Sequence, residues 1–178
     1  MNSTTNEVAK ATLLESMNRV GSMALIHHKL YGDNNPNAID FGKYASELVD
    51  EIASSYSQDG FIPPTVDLEI EETILNLNKA VPCGLILNEL LSNSFKHAFE
   101  KGQAGNIRIS IGNLNGIVPK VTLTVADNGK GFDPALYSAD STSLGMTIID
   151  SLCGQLDGKF SYDTHPGAGT KASLIFPS

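Results

Sequence analysis

The chain contains no tryptophan, only two cysteines and no excess of basic residues; its 178 residues carry a formal net charge of −8. That balance excludes the basic footprint that a nucleic-acid backbone demands. It speaks equally against docking on an acidic membrane surface. Cys83 and Cys153 each stand in an apolar context with no second cysteine nearby. Each is read as a buried small hydrophobe, not as half of a metal pair. No apolar run reaches the length of a membrane span. The polar start Met1-Asn2-Ser3-Thr4 does not have the form of a signal peptide, so a reduced, cytoplasmic setting is expected. The two commonest phosphate cradles are missing as well: neither G-x-x-x-x-G-K-[ST] nor G-x-G-x-x-G occurs. No His/Asp/Ser set suggests a hydrolytic triad, and no His/Cys spacing suggests zinc.

What is present describes a folded domain. Hydrophobic residues make up 41% and charged residues 18%, a globular balance and not a disordered one. Leu13, Leu14, Met17, Val20, Met23, Ala24, Ile26, His27 and Leu30 recur at helical spacing and predict a helix over residues 7–31. Gly32-Asp33-Asn34-Asn35-Pro36 stops it. A second helix starts at Ile39 or Asp40 and carries Phe41, Tyr44, Leu48, Val49, Ile52 and Tyr56. The break at 60–64 divides a helical part, residues 1–60, from a main domain, residues 61–178. Strict alternation over 66–70 predicts a half-buried strand, and 73–77 a second short one. A long helix covers 80–99, strands cover 107–111 and 121–126, and a helix covers 144–156. Residues 128–143 read as a mobile loop, and 159–163 with 170–176 as a closing strand pair. The expected fold class is α+β: a mixed, mostly antiparallel sheet with helices packed on one face.

The helix over 80–99 bears the first chemical signal. Glu89, Asn93 and Lys96 lie at i, i+4 and i+7 on one stripe, with His97 at its edge. The plain alternative is a solvated face. Asn is a poor choice for mid-helix, which suggests a different use. Magnesium takes oxygen ligands, keeps several waters, and completes its shell from one or two protein oxygens and nucleotide phosphates. The Asn93 amide suits that role without adding negative charge beside a triphosphate. Lys96 supplies compensating charge. Glu89 holds a magnesium water or acts as a general base; the sequence does not separate the two.

The second signal is Asp127-Asn128-Gly129-Lys130-Gly131 at the end of an apolar strand. A carboxylate there accepts a hydrogen bond from the adenine amine, and Gly129 and Gly131 permit close backbone approach to a flat base. The plain alternative is a hairpin turn, yet no strand follows at once. Leu144, Gly145 and Met146 open a helix after the loop, and their N–H groups would face phosphates. Gly167-Ala168-Gly169-Thr170 forms a turn from which Thr170 reaches the adenine pocket. His27 falls on the apolar side of its helix, His28 nearer the polar side, and His165 in a turn without an assigned role.

These residues resemble the GHKL ATPase superfamily of gyrase, ninety-kilodalton heat-shock chaperones and histidine kinases. Asn88-Glu89-Leu90-Leu91-Ser92-Asn93-Ser94-Phe95-Lys96-His97-Ala98-Phe99 looks like its N box. Asp127-Asn128-Gly129-Lys130-Gly131 looks like its first glycine box, Ser143-Leu144-Gly145-Met146 like its second, and Gly167-Ala168-Gly169-Thr170 like its last nucleotide element. The wording is that of sensor histidine kinases with the second-type dimerisation module, close to the HWE kinases. Arg19-Val20-Gly21-Ser22-Met23-Ala24-Leu25-Ile26-His27-His28-Lys29-Leu30-Tyr31 is similar to the second helix of that module.

The resemblance implies ATP and Mg2+ as cofactors, a homodimer formed through the N-terminal helices, and a response regulator receiver domain as partner. It implies γ-phosphoryl transfer to a histidine on the module's first helix, in a His-Arg-x-Lys-Asn-Asn-like run. The chain contains no such run, so a catalytic half lacking its acceptor histidine is expected. A switch kinase that phosphorylates a partner's serine, and a non-catalytic nucleotide-bound scaffold, share the same ATP fold and stand as alternatives.

Overall fold

The computed structural model describes residues 38–56, 63–100, 102–133 and 144–178, with positions 13, 16, 17, 20, 21 and 24. Those six positions are helical, in keeping with the helix expected over 7–31. His27, His28, the junction residues 60–62 and the loop positions 134–143 lie outside the described residues.

A two-residue strand, β1 (Ile39–Asp40), precedes helix α1 (Phe41–Tyr56). Asp40 starts the helix as expected from its residue type: its carboxylate accepts the Lys43 N–H at 3.0 Å. The stripe Phe41, Tyr44, Ala45, Leu48, Val49 and Ile52 is buried. Strand β2 (Thr65–Ile70) follows, then β3 (Ile74–Leu75), which pairs with β1 and not with the main sheet. The short strand expected over 73–77 is therefore real but smaller, because Leu77 already opens helix α2 (Leu77–Asn93). Asn76 caps that helix, accepting the Lys79 N–H at 3.2 Å.

The main sheet comprises β2, β4 (Asn106–Leu114), β5 (Lys120–Asp127), β6 (Lys159–Thr164) and β7 (Thr170–Pro177), in the order β2-β4-β5-β7-β6. Only β2 and β4 run parallel. Parallel neighbours need a long crossover, and α2 lies within it. Helix α3 (Leu144–Gln155) precedes β6. On the central strands every second residue points to the helices: Ile107, Ile109 and Ile111, then Val121, Leu123 and Val125, then Ala172, Leu174 and Phe176 are all buried. These pack with Ile86, Leu87, Leu90 and Leu91 of α2 and with the α1 stripe in one core. The fold class read from the sequence is the one observed, with α1 seated in the core of the sheet domain.

The half-buried strand expected over 66–70 is found, with Val66 and Ile70 packed against the core, and it is an edge strand in which Leu68 is 39% exposed. One local expectation changes. The helix expected to run straight over 80–99 ends at Asn93 and passes into a π-helical turn, Ser94–Ala98, with Phe99 extended. Lys96 and His97 sit in that wider turn, so their phase relative to Glu89 departs from ideal helical spacing. Single π turns in helices are found frequently at functional sites.

Cys83 and Cys153 are both buried free thiols, as their contexts suggest. Burial pushes both thiols above the usual cysteine range. Beside Cys83, Gly84 lets α1 approach α2. A Cβ there would run into the hydroxyl and ring of Tyr44, which is fully buried and has no room to retreat. Gly84→Ala is therefore expected to lower stability by about 1–3 kcal/mol through overpacking, despite the better helix propensity of alanine. Chemical denaturation measures this; a variant as stable as the parent would show that the α1–α2 contact relaxes freely.

Candidate nucleotide site

At the C-terminal end of β5 the register places Asp127 opposite Ile107 on one side and Thr170 on the other. Its side chain gathers three donors from three segments. Oδ1 accepts the Gly129 N–H at 3.0 Å and the Thr170 N–H at 3.2 Å. Oδ2 accepts the Ser94 hydroxyl at 3.1 Å. The carboxylate is thus held in one orientation by the glycine turn, the start of β7 and the π turn. Such convergence gives the group a fixed direction before any ligand arrives.

The turn after Asp127 is not a hairpin. Lys130 donates its N–H to the Ala98 carbonyl at 2.8 Å, and Gly167 donates to the Lys130 carbonyl at 2.6 Å. Asn128 bridges to Asn106, accepting its N–H at 2.8 Å. The segment is therefore threaded between the end of the N-box helix and the β6–β7 turn. Its glycines are required by contact. A Cβ at Gly129 would run into the Ala98 carbonyl. Gly131 has φ +59° and lies against the His165 carbonyl, where no side chain fits. His165, without a role from sequence, contributes this backbone wall.

On α2, Glu89 is 2% exposed, so the stripe is not a solvated face at that position. The Asn88 amide donates to Glu89 Oε1 at 3.4 Å. Asn93 and Lys96 are half-buried and His97 is exposed. Thus Glu89, Asn93, Lys96 and His97 pass from interior to surface along the helix and its π turn. Glu89 and Asn93 each carry a side-chain oxygen, one helical turn apart on α2. Among the described residues, no three or more His, Cys, Asp and Glu side chains gather into a protein-only metal cage. A carboxylate and a neutral amide fit a magnesium ion that takes most of its shell from water and phosphate.

Gly145 is buried and Leu144 exposed at the start of α3. The N-terminal turn of a helix presents backbone N–H groups and the positive end of the dipole. The Tyr162 hydroxyl meets the Met146 sulfur at 2.8 Å, and the Phe132 ring packs edge-on against Tyr162 at 5.7 Å. One β6 side chain therefore contacts both Phe132 and Met146, which lie on either side of residues 133–145 in the sequence.

Two residues at the site escape sequence reasoning. Ser94 reads only as a link in the N box, and Thr164 falls just past the strand read over 159–163. A hydroxyl next to Asn93 is a usable signal only once the register brings Asp127 to it. Ser94→Ala is expected to loosen Asp127 and weaken ATP binding about fivefold, the worth of one lost hydrogen bond, with the melting temperature little changed. Calorimetric titration against ATP tests this, and unchanged affinity would remove Ser94 from the site.

A family model described as histidine kinase-, DNA gyrase B-, and HSP90-like ATPase matches residues 78–178. A second, described as histidine kinase, matches residues 1–56. The sensor histidine kinase PdtaS of Mycolicibacterium smegmatis is 26% identical over 178 residues, covering 98% of this chain and 34% of its own length. The sensor histidine kinase ComP of Bacillus subtilis is 33% identical over 100 residues, covering 56% of this chain and 12% of its own length. The chain thus spans about a third or less of these relatives. Among solved structures, the histidine kinase domain of the Erythrobacter litoralis blue-light activated kinase superposes with a TM-score of 0.79 at 20% identity. That match covers 92% of this chain and 74% of the other, and it agrees with the observed fold. With more than half of its residues matched, the chain belongs to the histidine kinase-, DNA gyrase B- and HSP90-like ATPase family, on its histidine kinase branch.

Proposed function

We propose that this chain is the ATP-binding catalytic part of a protein histidine kinase in two-component signalling. The observation that carries the reading is the Asp127 carboxylate, held by Gly129, Thr170 and Ser94 where a base edge would meet it. In this reading Asp127 and Thr170 receive the adenine, and Gly129 and Gly131 let it approach the backbone. Leu144, Gly145 and Met146 offer N–H groups to the phosphates, and Lys96 and His97 add donors from the π turn. Asn93 and Glu89 hold Mg2+ or its waters, and Glu89 is also placed to accept a proton. The ion, when bound, neutralises charge on the transferring phosphoryl group.

The further parts of the reading follow from the relatives. All those named above are histidine kinases, which favours a histidine acceptor over a partner's serine. Residues 1–60 would serve as the dimerisation part and 61–178 as the catalytic part. A receiver domain of a response regulator would take the phosphoryl group. No helix among the described residues is long and apolar enough to cross a membrane, which fits cytoplasmic work for this segment.

The test supplies radiolabelled ATP and Mg2+ to the chain together with a dimerisation helix that bears an acceptor histidine. An acid-labile, base-stable phosphoryl group on that helix is expected. An acid-stable phosphoserine on a partner would favour the switch-kinase alternative. Nucleotide binding with no phosphoryl transfer to either would leave the scaffold.

A further inference from the structure

Thr164 ends β6 and is 4% exposed, and its hydroxyl has more neighbours than any strand end requires. Oγ1 donates to the Gly169 carbonyl at 3.0 Å and accepts the Phe132 N–H at 3.2 Å. It also lies 3.2 Å from Oγ1 of Thr170, its partner in the β6–β7 register. A threonine hydroxyl has one proton and two lone pairs. The proton goes to Gly169 and one lone pair goes to Phe132. The contact with Thr170 then has only one consistent direction: Thr170 donates and Thr164 accepts. The reverse would leave the Gly169 carbonyl without this donor in a closed turn, at a cost that buried carbonyls avoid.

This direction has a consequence for the pocket. With its single proton turned to Thr164, the Thr170 hydroxyl presents lone pairs alone to anything that approaches. Beside it, the Asp127 oxygens accept from Gly129, Thr170 and Ser94. A purine whose position-6 group meets these two residues therefore faces acceptors on both sides. A 6-aminopurine brings two N–H donors at that position, one for each acceptor. A 6-oxopurine brings a carbonyl acceptor there, and its N1–H can serve at most one of the two, so it is disfavoured. Resting on the nucleotide reading above, we propose that Thr164 is a specificity-determining positioning residue, which by fixing Thr170 as a hydrogen-bond acceptor makes the site select a 6-amino over a 6-oxo purine nucleotide.

The readout is the ratio of ITP to ATP dissociation constants, measured by calorimetry on the full chain. ITP differs in carrying the 6-oxo group in place of the amine and a proton on N1. The parent should prefer ATP by about tenfold or more, since sites built around base-edge hydrogen bonds reject analogues that leave them mispaired. Thr164→Val keeps the shape and removes the hydroxyl. Thr170 is then able to turn and donate to the oxo group, and the ratio should fall about fivefold, the worth of one hydrogen bond. Thr164→Ser restores the hydroxyl and should restore the ratio.

Equal weakening of ATP and ITP by Thr164→Val would overturn the proposal, because the hydroxyl would then only brace the turn. Should that variant fail to fold, Thr170→Val decides: it removes the acceptor itself, and a ratio still at the parent value sinks the idea. A parent chain that binds ATP without preference over ITP overturns the selectivity alone. A parent that binds neither nucleotide overturns the nucleotide reading with it.

Discussion

Asn93→Ala is expected to abolish magnesium-dependent ATP binding or turnover and to leave the fold intact. Asn93 ends α2, half-buried, one turn after the buried Glu89 and directly before the π turn that carries Lys96. Its amide puts a neutral oxygen donor between a buried carboxylate and a cationic side chain, at a half-buried position. Alanine favours the helix over asparagine by up to about 0.7 kcal/mol, so any loss of function would not trace to helix propensity. Calorimetry with a non-hydrolysable ATP analogue, with and without Mg2+, measures the first effect, and a thermal melt the second. Unchanged magnesium dependence at native stability would make this part of the helix a plain surface.

Asp127→Asn is expected to cost roughly tenfold or more in ATP affinity, equivalent to about 1–3 kcal/mol for a mispaired buried group. The geometry says which atom goes where. The Gly129 and Thr170 N–H groups both point at Oδ1, so the amide oxygen must remain there. The amide NH2 then replaces Oδ2, and the Ser94 hydroxyl can rotate to accept from it. The turn survives this exchange. The base edge does not, because a donor now meets the adenine amine. Loss of affinity with an unchanged melting temperature is the expected pair of results. Equal affinities for the two forms would refute the role of Asp127.

The two predictions draw on different levels of the chain. The elements themselves are legible without coordinates. Periodicity of 3.6 marks α1 and α2, and alternation marks β4, β5 and β7, because a half-buried element must repeat its apolar face. The four nucleotide motifs are legible as strings, and so are Glu89, Asn93, Asp127 and the glycines. Edge position is not legible: β2 alternates as a half-buried strand should, and only the topology shows that the sheet ends there, with Leu68 exposed. Nor is the π turn, since one extra residue per turn leaves no mark in a short pattern that 3.6 already fits.

What the amino-acid order determined by itself is the set of elements, the apolar faces and the identity of the chemical groups, all of which depend on neighbours a few positions apart. What only the tertiary structure decided is which groups meet. Ser94 reaches Asp127 across 33 residues and Thr170 across 43, and Phe132 reaches Thr164 across 32. Those meetings are fixed by strand register and by the close approach that Gly129, Gly131 and Gly169 allow. A single slip of register would send each hydroxyl to the opposite face of the sheet. The direction in which Thr170 points its proton follows from that geometry, because a hydrogen bond depends on where its partner stands and not on how far along the chain it lies.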